Sequence, residues 1–476
     1  MHSRPRILSL LLCAALACAA PSGTQAGPGI GSLSETEFLM IVGSAAEAIS
    51  AGDPATAVEL LDGAVESGVS DTTTWFLRGV AHLEMGRPAA ASQDLERAVE
   101  LEPGDAPSHC VLARAYRELG ELEASAASLT RALEIDPELT RMRTLLGHVY
   151  LEQGAWADAY ETLMQSVERD PNDGDAHRGL GMLFAQVGDP EQAEMAWRHA
   201  LDAAPDDALL HLGLGNALRD QEHLVDALES YREAARLEPD AALHAANEAS
   251  TLLELGRFRE SRNAYERVLG MEPLAGKQWR WVLLNFGSLL ELMGDDDAAM
   301  DIYEMSVTDD EAFTEGHQAL GLLLIKRDRP ERALRHLRTA LELDGLNAEA
   351  AMSLALLSEV YGDPEAARQC AEMLSLASAA DPEVAFRYAQ LLMRSRLPDV
   401  RDHARAIDIL QELLVAAPDD SGPVWDLLGE AFYEQGAIDR AVRAAEQALQ
   451  SADPNHPAWQ RYTQRHTLYL SSLDAR

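Results

Sequence analysis

The chain has 476 residues, with 79 Asp and Glu against 39 Lys and Arg, a formal net charge of −40. A surface this acidic repels phosphate backbones and anionic lipid, so nucleic-acid binding is excluded as a first reading. The apolar residues, 47% of the chain, are mostly Ala and Leu with few aromatics, a balance that suits closely packed helices over a β-rich core.

In chain order, residues 1–20 read as an export signal. Arg4 and Arg6 form a positive start, and Ile7 to Ala17 an apolar stretch too short for an ordinary membrane span. Two processing outcomes stay open. Ala15-Leu16-Ala17-Cys18 resembles a bacterial lipobox, in which Cys18 is lipidated, although the usual leucine three residues before the cysteine is absent. Ordinary signal peptidase would instead cut after Ala20 or Ala26. The Gly-, Ser- and Pro-rich residues 21–37 read as a flexible linker. The expected location is the periplasm or the outer membrane, with membrane contact only through a lipid on Cys18. The remaining cysteines, Cys110 and Cys370, lie too far apart in sequence for a disulfide framework and read as small, inert helix residues.

Prolines then recur at 103, 137, 171, 205, 239 and 273, always 34 residues apart. Gly79, Gly147, Gly181, Gly215, Gly287, Gly321 and Gly429 mark a small site in a first helix. Gly86, Gly120, Gly154, Gly188, Gly256, Gly294, Gly362 and Gly436 mark its end, where a left-handed residue is easiest for glycine. Asp53-Pro54, Asp189-Pro190 and Asp363-Pro364 supply an N-cap acceptor before proline at the first helical position. In the second helix a small Ala, such as Ala91 or Ala193, is followed four residues later by Leu95 or Trp197 on the same face. The period and this pattern resemble the tetratricopeptide repeat from about Phe38 to Asn455.

The resemblance implies an all-α, superhelical solenoid of about twelve stacked helix-turn-helix units: residues 38–275 in regular register, 276–455 less regular, and 456–476 a C-terminal capping helix. The register slips at 276–279, and residues 385–421 carry an insertion. In such arrays the first helices line the concave side.

None of the sharp catalytic patterns is present. There is no P-loop, no His-Glu-x-x-His, no nucleophile elbow and no paired-cysteine metal site. Gly213-Leu-Gly215 lies inside a repeat helix with no strand before it, and so reads as packing, not a dinucleotide loop. His109, His177, His211 and His317 share the fourth repeat position, filled elsewhere by Trp75 and Trp425. Equivalent residues of neighbouring repeats stand too far apart for one tetrahedral ion, so these histidines read as packing residues. No enzyme activity, cofactor or metal is expected.

The inward first-helix positions of the family correspond here to Arg114, Arg117, Arg141, His148, Arg178, Asn216, Arg219, Asn247 and Asn285. Arginine holds a carboxylate through two parallel hydrogen bonds, and Asn amides pair with a peptide backbone. Asn216 and Asn247 match two positions of the family's C-terminal carboxylate clamp. Leu212, Trp281 and Asn285 stand where basic residues belong, so a ladder of Asn along an extended peptide fits better than a clamp. Against this, the arginines would simply pair with acidic neighbours such as Glu118 and Asp220. Trp279 and Trp281 sit at the register break, either as an exposed anchor or as core. The expected function is a non-enzymatic scaffold that binds a protein or an extended peptide in the cell envelope. The alternative is an accessory subunit of an envelope enzyme or a polysaccharide synthesis or export complex.

Overall fold

The computed structural model describes residues 34–474, apart from 69, 272–273, 275, 417–420 and 452–456. The leader, Cys18 and Pro273 lie outside the described residues. Among the described residues there are 25 helices and no strand, arranged as twelve consecutive pairs and one final helix. None of these helices is long and apolar enough to cross a membrane. The chain divides between Thr251 and Leu252 into two units, each built from the same pairs.

Within a pair the small site works as a contact point. A Cβ on Gly79 would lie 2.6 Å from Leu95 Cγ, and one on Gly181 2.7 Å from the Trp197 indole. The same sixteen-residue relation joins Gly147 to Leu163, Gly215 to Tyr231 and Gly321 to Leu337. Any larger residue would push the second helix away, so glycine is required by close approach. The second-helix alanines, among them Ala91, Ala159, Ala193 and Ala333, are completely buried beside these contacts.

Helix starts follow the sequence signals. Asp53 accepts from Thr56 N, Asp189 from Gln192 N and Asp363 from Ala366 N, each with proline at the next position. Gly120, with φ 80°, makes a left-handed stop after Ala106–Leu119. Three repeats lack this glycine; in two of them Glu222 (φ 61°) and Asp328 (φ 54°) take the same conformation, alone among the described non-glycine residues, and in the third Pro382–Arg394 ends at Ser395 with φ −58°.

In most pairs the second helix packs on the next first helix, and several successive first helices also touch directly. In the first unit this holds for Thr140–Gln153 with Gly174–Val187, and for the latter with Ala208–Asp220. In the second unit it holds for Lys277–Leu292, Thr314–Lys326 and Ala348–Val360 in turn. First helices therefore lie side by side along these stretches of each unit. The final helix, Pro457–Asp474, packs on Ile438–Gln450. Its Tyr469 stacks on Tyr433 at 4.8 Å, and its Arg461 and Arg465 reach the 7%-exposed Asp426 at 3.1 and 3.0 Å.

Candidate functional site

The 34-residue spacing turns the first-helix layer of the first unit into columns of equivalent positions. One column runs Arg114, His148, Met182, Asn216; another runs Arg141, Asp175, Leu209. Met182 and Leu209, which sequence reasoning passed over, are 49% and 62% exposed. The layer thus alternates guanidinium and amide groups with uncovered apolar side chains. The signal for Met182 and Leu209 was present in the column arithmetic, but apolar residues at helical spacing read first as core.

The arginines divide into two sets. Arg114 Nε donates to Glu118 at 3.0 Å and lies 3.6 Å from Glu84; Arg178 pairs with Asp175 at 2.9 Å. Arg117 Nε donates to Glu152 of the next repeat at 3.0 Å. These three are internally neutralised, each with a side chain that stays about one-third or more exposed. Arg141 and Arg219 have no carboxylate partner among the described residues, and Arg219 does not pair with Asp220. Arg141 is exposed and Arg219 half-buried.

His148 stands between the two sets. Its Nε2 donates to the Asp175 carbonyl oxygen at 3.0 Å. Burial, reinforced by the neighbouring Arg178 charge, holds its pKa below the usual imidazole value. It is therefore neutral at pH 7, and a hydrogen-bonding group here, not a third cation.

Asn216 Oδ1 accepts the Tyr231 hydroxyl at 2.8 Å, which leaves its amide N–H groups for another acceptor. Asn247, in the same unit, is half-buried and uses no side-chain atom in a hydrogen bond among the described residues. Asn285, in the second unit, is likewise half-buried, four residues beyond Trp281. At the register break the two tryptophans part ways. Trp279 is 7% exposed and belongs to the core, whereas Trp281 is 47% exposed, its ring edge-on to Phe313 at 6.2 Å.

The fourth-position histidines have a different job. His109 Nε2 reaches the carbonyl oxygen of Pro103 at 3.2 Å, His177 that of Pro171 at 3.0 Å and His211 that of Pro205 at 2.9 Å. His317 does the same to Glu311 at 3.1 Å, and Arg143 to Pro137 at 2.8 Å. A carbonyl only accepts, so each Nε2 carries the proton. These side chains clamp the preceding inter-repeat loop from inside the first helix. His317 goes further: its Nδ1 accepts from His336 Nδ1 at 3.0 Å. Among the described residues no three or more His, Cys, Asp or Glu gather as metal ligands. Burial pushes the Cys110 thiol up to about 12 and Cys370 up to about 11, so neither forms a thiolate at neutral pH.

Family models described as tetratricopeptide repeat match residues 44–106, 76–140, 122–183, 178–242, 247–311 and 319–374. No curated protein sequence matches the chain. Among solved structures, a tetratricopeptide repeat protein from Parabacteroides merdae is 18% identical, over 55% of this chain and 98% of that one, with a TM-score of 0.45. Tom70 from yeast is 14% identical over 93% and 97%, also at 0.45. YrrB, described as having an unusual peptide-binding site, is 17% identical over 40% and 96%, at 0.34.

Proposed function

We propose that this chain, which belongs to the tetratricopeptide-repeat family, is an exported scaffold of the cell envelope that holds an extended segment of a partner protein along its first-helix layer. The fold supports protein–protein interaction. The finer reading rests on one observation: the Asn216 amide, fixed by Tyr231 in the same layer as the unpaired Arg141 and Arg219. Fixed amides bond a peptide backbone whatever its sequence, and unpaired guanidiniums select carboxylates along it. Exposed Leu209 and Met182 add apolar contact in the first unit, as Trp281 does beside Asn285 in the second.

The strip assigned to the partner comprises Arg114, Arg117, Arg141, His148, Arg178, Asn216, Arg219 and Asn247, with Asn285 serving the second unit. Residues 1–20 supply export, and Cys18 the lipid anchor if the lipobox is used. We assign no reaction to the chain.

The test is affinity capture from the organism's own envelope fraction, with mass spectrometry of the bait's N-terminus. Wild-type protein is compared with an Arg141→Ala/Asn216→Ala/Arg219→Ala variant whose thermal unfolding matches it. Loss of one defined partner from the variant supports the strip. Equal recovery by a folded variant places binding on another surface. A lipid on Cys18 or a cleaved N-terminus at Pro21 or Gly27 decides the processing route.

A further inference from the structure

We propose a second recognition site, separate from the first-helix strip, in the cleft on the last helix pair where Trp425, Arg440 and Arg443 meet. Its ligand class is a peptide segment that carries a carboxylate beside an aromatic or branched aliphatic side chain. The cleft is an open depression of about 360 Å³ between Gly422–Glu434 and Ile438–Gln450. Trp425 and Phe432 form one wall, and Arg440, Arg443, Ala444 and Gln447 form the other.

Three observations carry this. Trp425 occupies the same repeat position as Trp75, but Trp75 has the Arg78 guanidinium 4.6 Å from its ring centre. Trp425 has no such cover among the described residues and faces the cleft instead. The two cleft arginines are also uncommitted. Arg440 lies 5.7 Å over the Phe432 ring, and Arg443 spends Nε on the Asp439 carbonyl at 3.2 Å; neither meets a carboxylate among the described residues. Nearby, by contrast, Arg461 and Arg465 are both drawn to Asp426. In a chain of net charge −40, two guanidiniums left without a carboxylate, one turn apart on one helix, are a local reversal of sign.

The chemistry follows from the lining. An apolar side chain covers Trp425, Phe432 and Ala444, and a carboxylate takes the fork of Arg443 and the outer edge of Arg440. Glu446 also lines the cleft, and its charge disfavours a dianion, so a carboxylate is favoured over a phosphate. The two halves of the ligand must be adjacent, because Arg440 touches the aromatic wall itself.

The experiment uses the full chain with its seven tryptophans labelled as 5-fluorotryptophan, the Trp425 fluorine resonance being assigned through Trp425→Phe. The probes are the monoanion acetyl-Phe-Glu-amide and its neutral counterpart acetyl-Phe-Gln-amide. The expected result is a saturable shift of the Trp425 signal by the acidic probe alone. Binding weakens at least about fivefold in Arg440→Gln/Arg443→Gln, and several-fold on raising the salt from about 0.05 to 0.5 M in the wild type. The salt series needs no variant and stands if the double substitution unfolds. An unmoved Trp425 signal, an equal shift by the neutral probe, salt-independent binding or full affinity in a folded double variant each overturns the proposal.

Discussion

Tyr231 donates its hydroxyl to Asn216 at 2.8 Å, while Gly215, the residue before Asn216, presses against the same ring so closely that a Cβ would lie 2.6 Å from it. A fully buried core residue thus sets which face of a surface amide is offered to a partner. Tyr231→Phe keeps the ring and releases the amide. Stability should fall by about 1 kcal/mol, and partner capture by several-fold. Denaturant unfolding beside quantitative pull-down separates the two effects.

Glu222 and Asp328 occupy positions where other repeats have glycine, and both stand in the left-handed region. Glycine there relieves the Cβ clash but adds unfolded-chain freedom, for a net gain of about 0.5–1 kcal/mol. Glu222→Gly should gain more than Asp328→Gly, since Asp tolerates this conformation better than Glu. Thermal melts of the two single variants check both the sign and the order.

His336 gives the array an acid sensitivity. Burial, then the neighbouring charges of His317, Arg332 and Arg335, hold its pKa down to about 4 from 6.5, with Glu304 opposing them. The unfolded chain takes up this proton below about pH 6.5 while the folded chain does not. Stability from this group is therefore complete above that pH and lost as pH falls toward 4. After allowance for its partial exposure the loss is about 2 kcal/mol. Unfolding at pH 7.5 and 4.5 should show a smaller drop in His336→Gln than in the wild type.

Arg465 links the final helix to Asp426 at 3.0 Å and to Glu430 at 2.8 Å. Arg465→Met leaves the buried Asp426 with Arg461 alone, at a cost of about 2–3 kcal/mol. Hydrogen exchange should rise first in Pro457–Asp474, before the pairs upstream respond.

The repeat was legible because its signals are local. Pro103 to Pro239, the small-site glycines and the Asp-Pro starts each act within a few residues of where they stand. The use of the fourth-position histidines was half legible. Repeat spacing marked them as equivalent positions, but it did not reveal their bond to a carbonyl six residues back. The pairing of Arg117 with Glu152, 35 residues on, was not legible at all. It depends on how two first helices lie side by side, which a list of acidic neighbours in sequence cannot show. The same holds for Trp279 and Trp281: two residues apart on a helix they point in different directions, and only the packing decides which one the solvent sees.

The loop clamp bears on how such a chain changes length. His177 and the Pro171 carbonyl that it fastens are six residues apart, as are His211 and Pro205. Each of these joints between repeats is therefore held by the helix that immediately follows it, not by a distant part of the molecule. Duplicating or excising a block of 34 residues carries joint and fastener together. The array can then grow or shorten by whole modules without a new solution for the junction, and the length of the segment that it can span becomes an inheritable quantity in steps of one repeat.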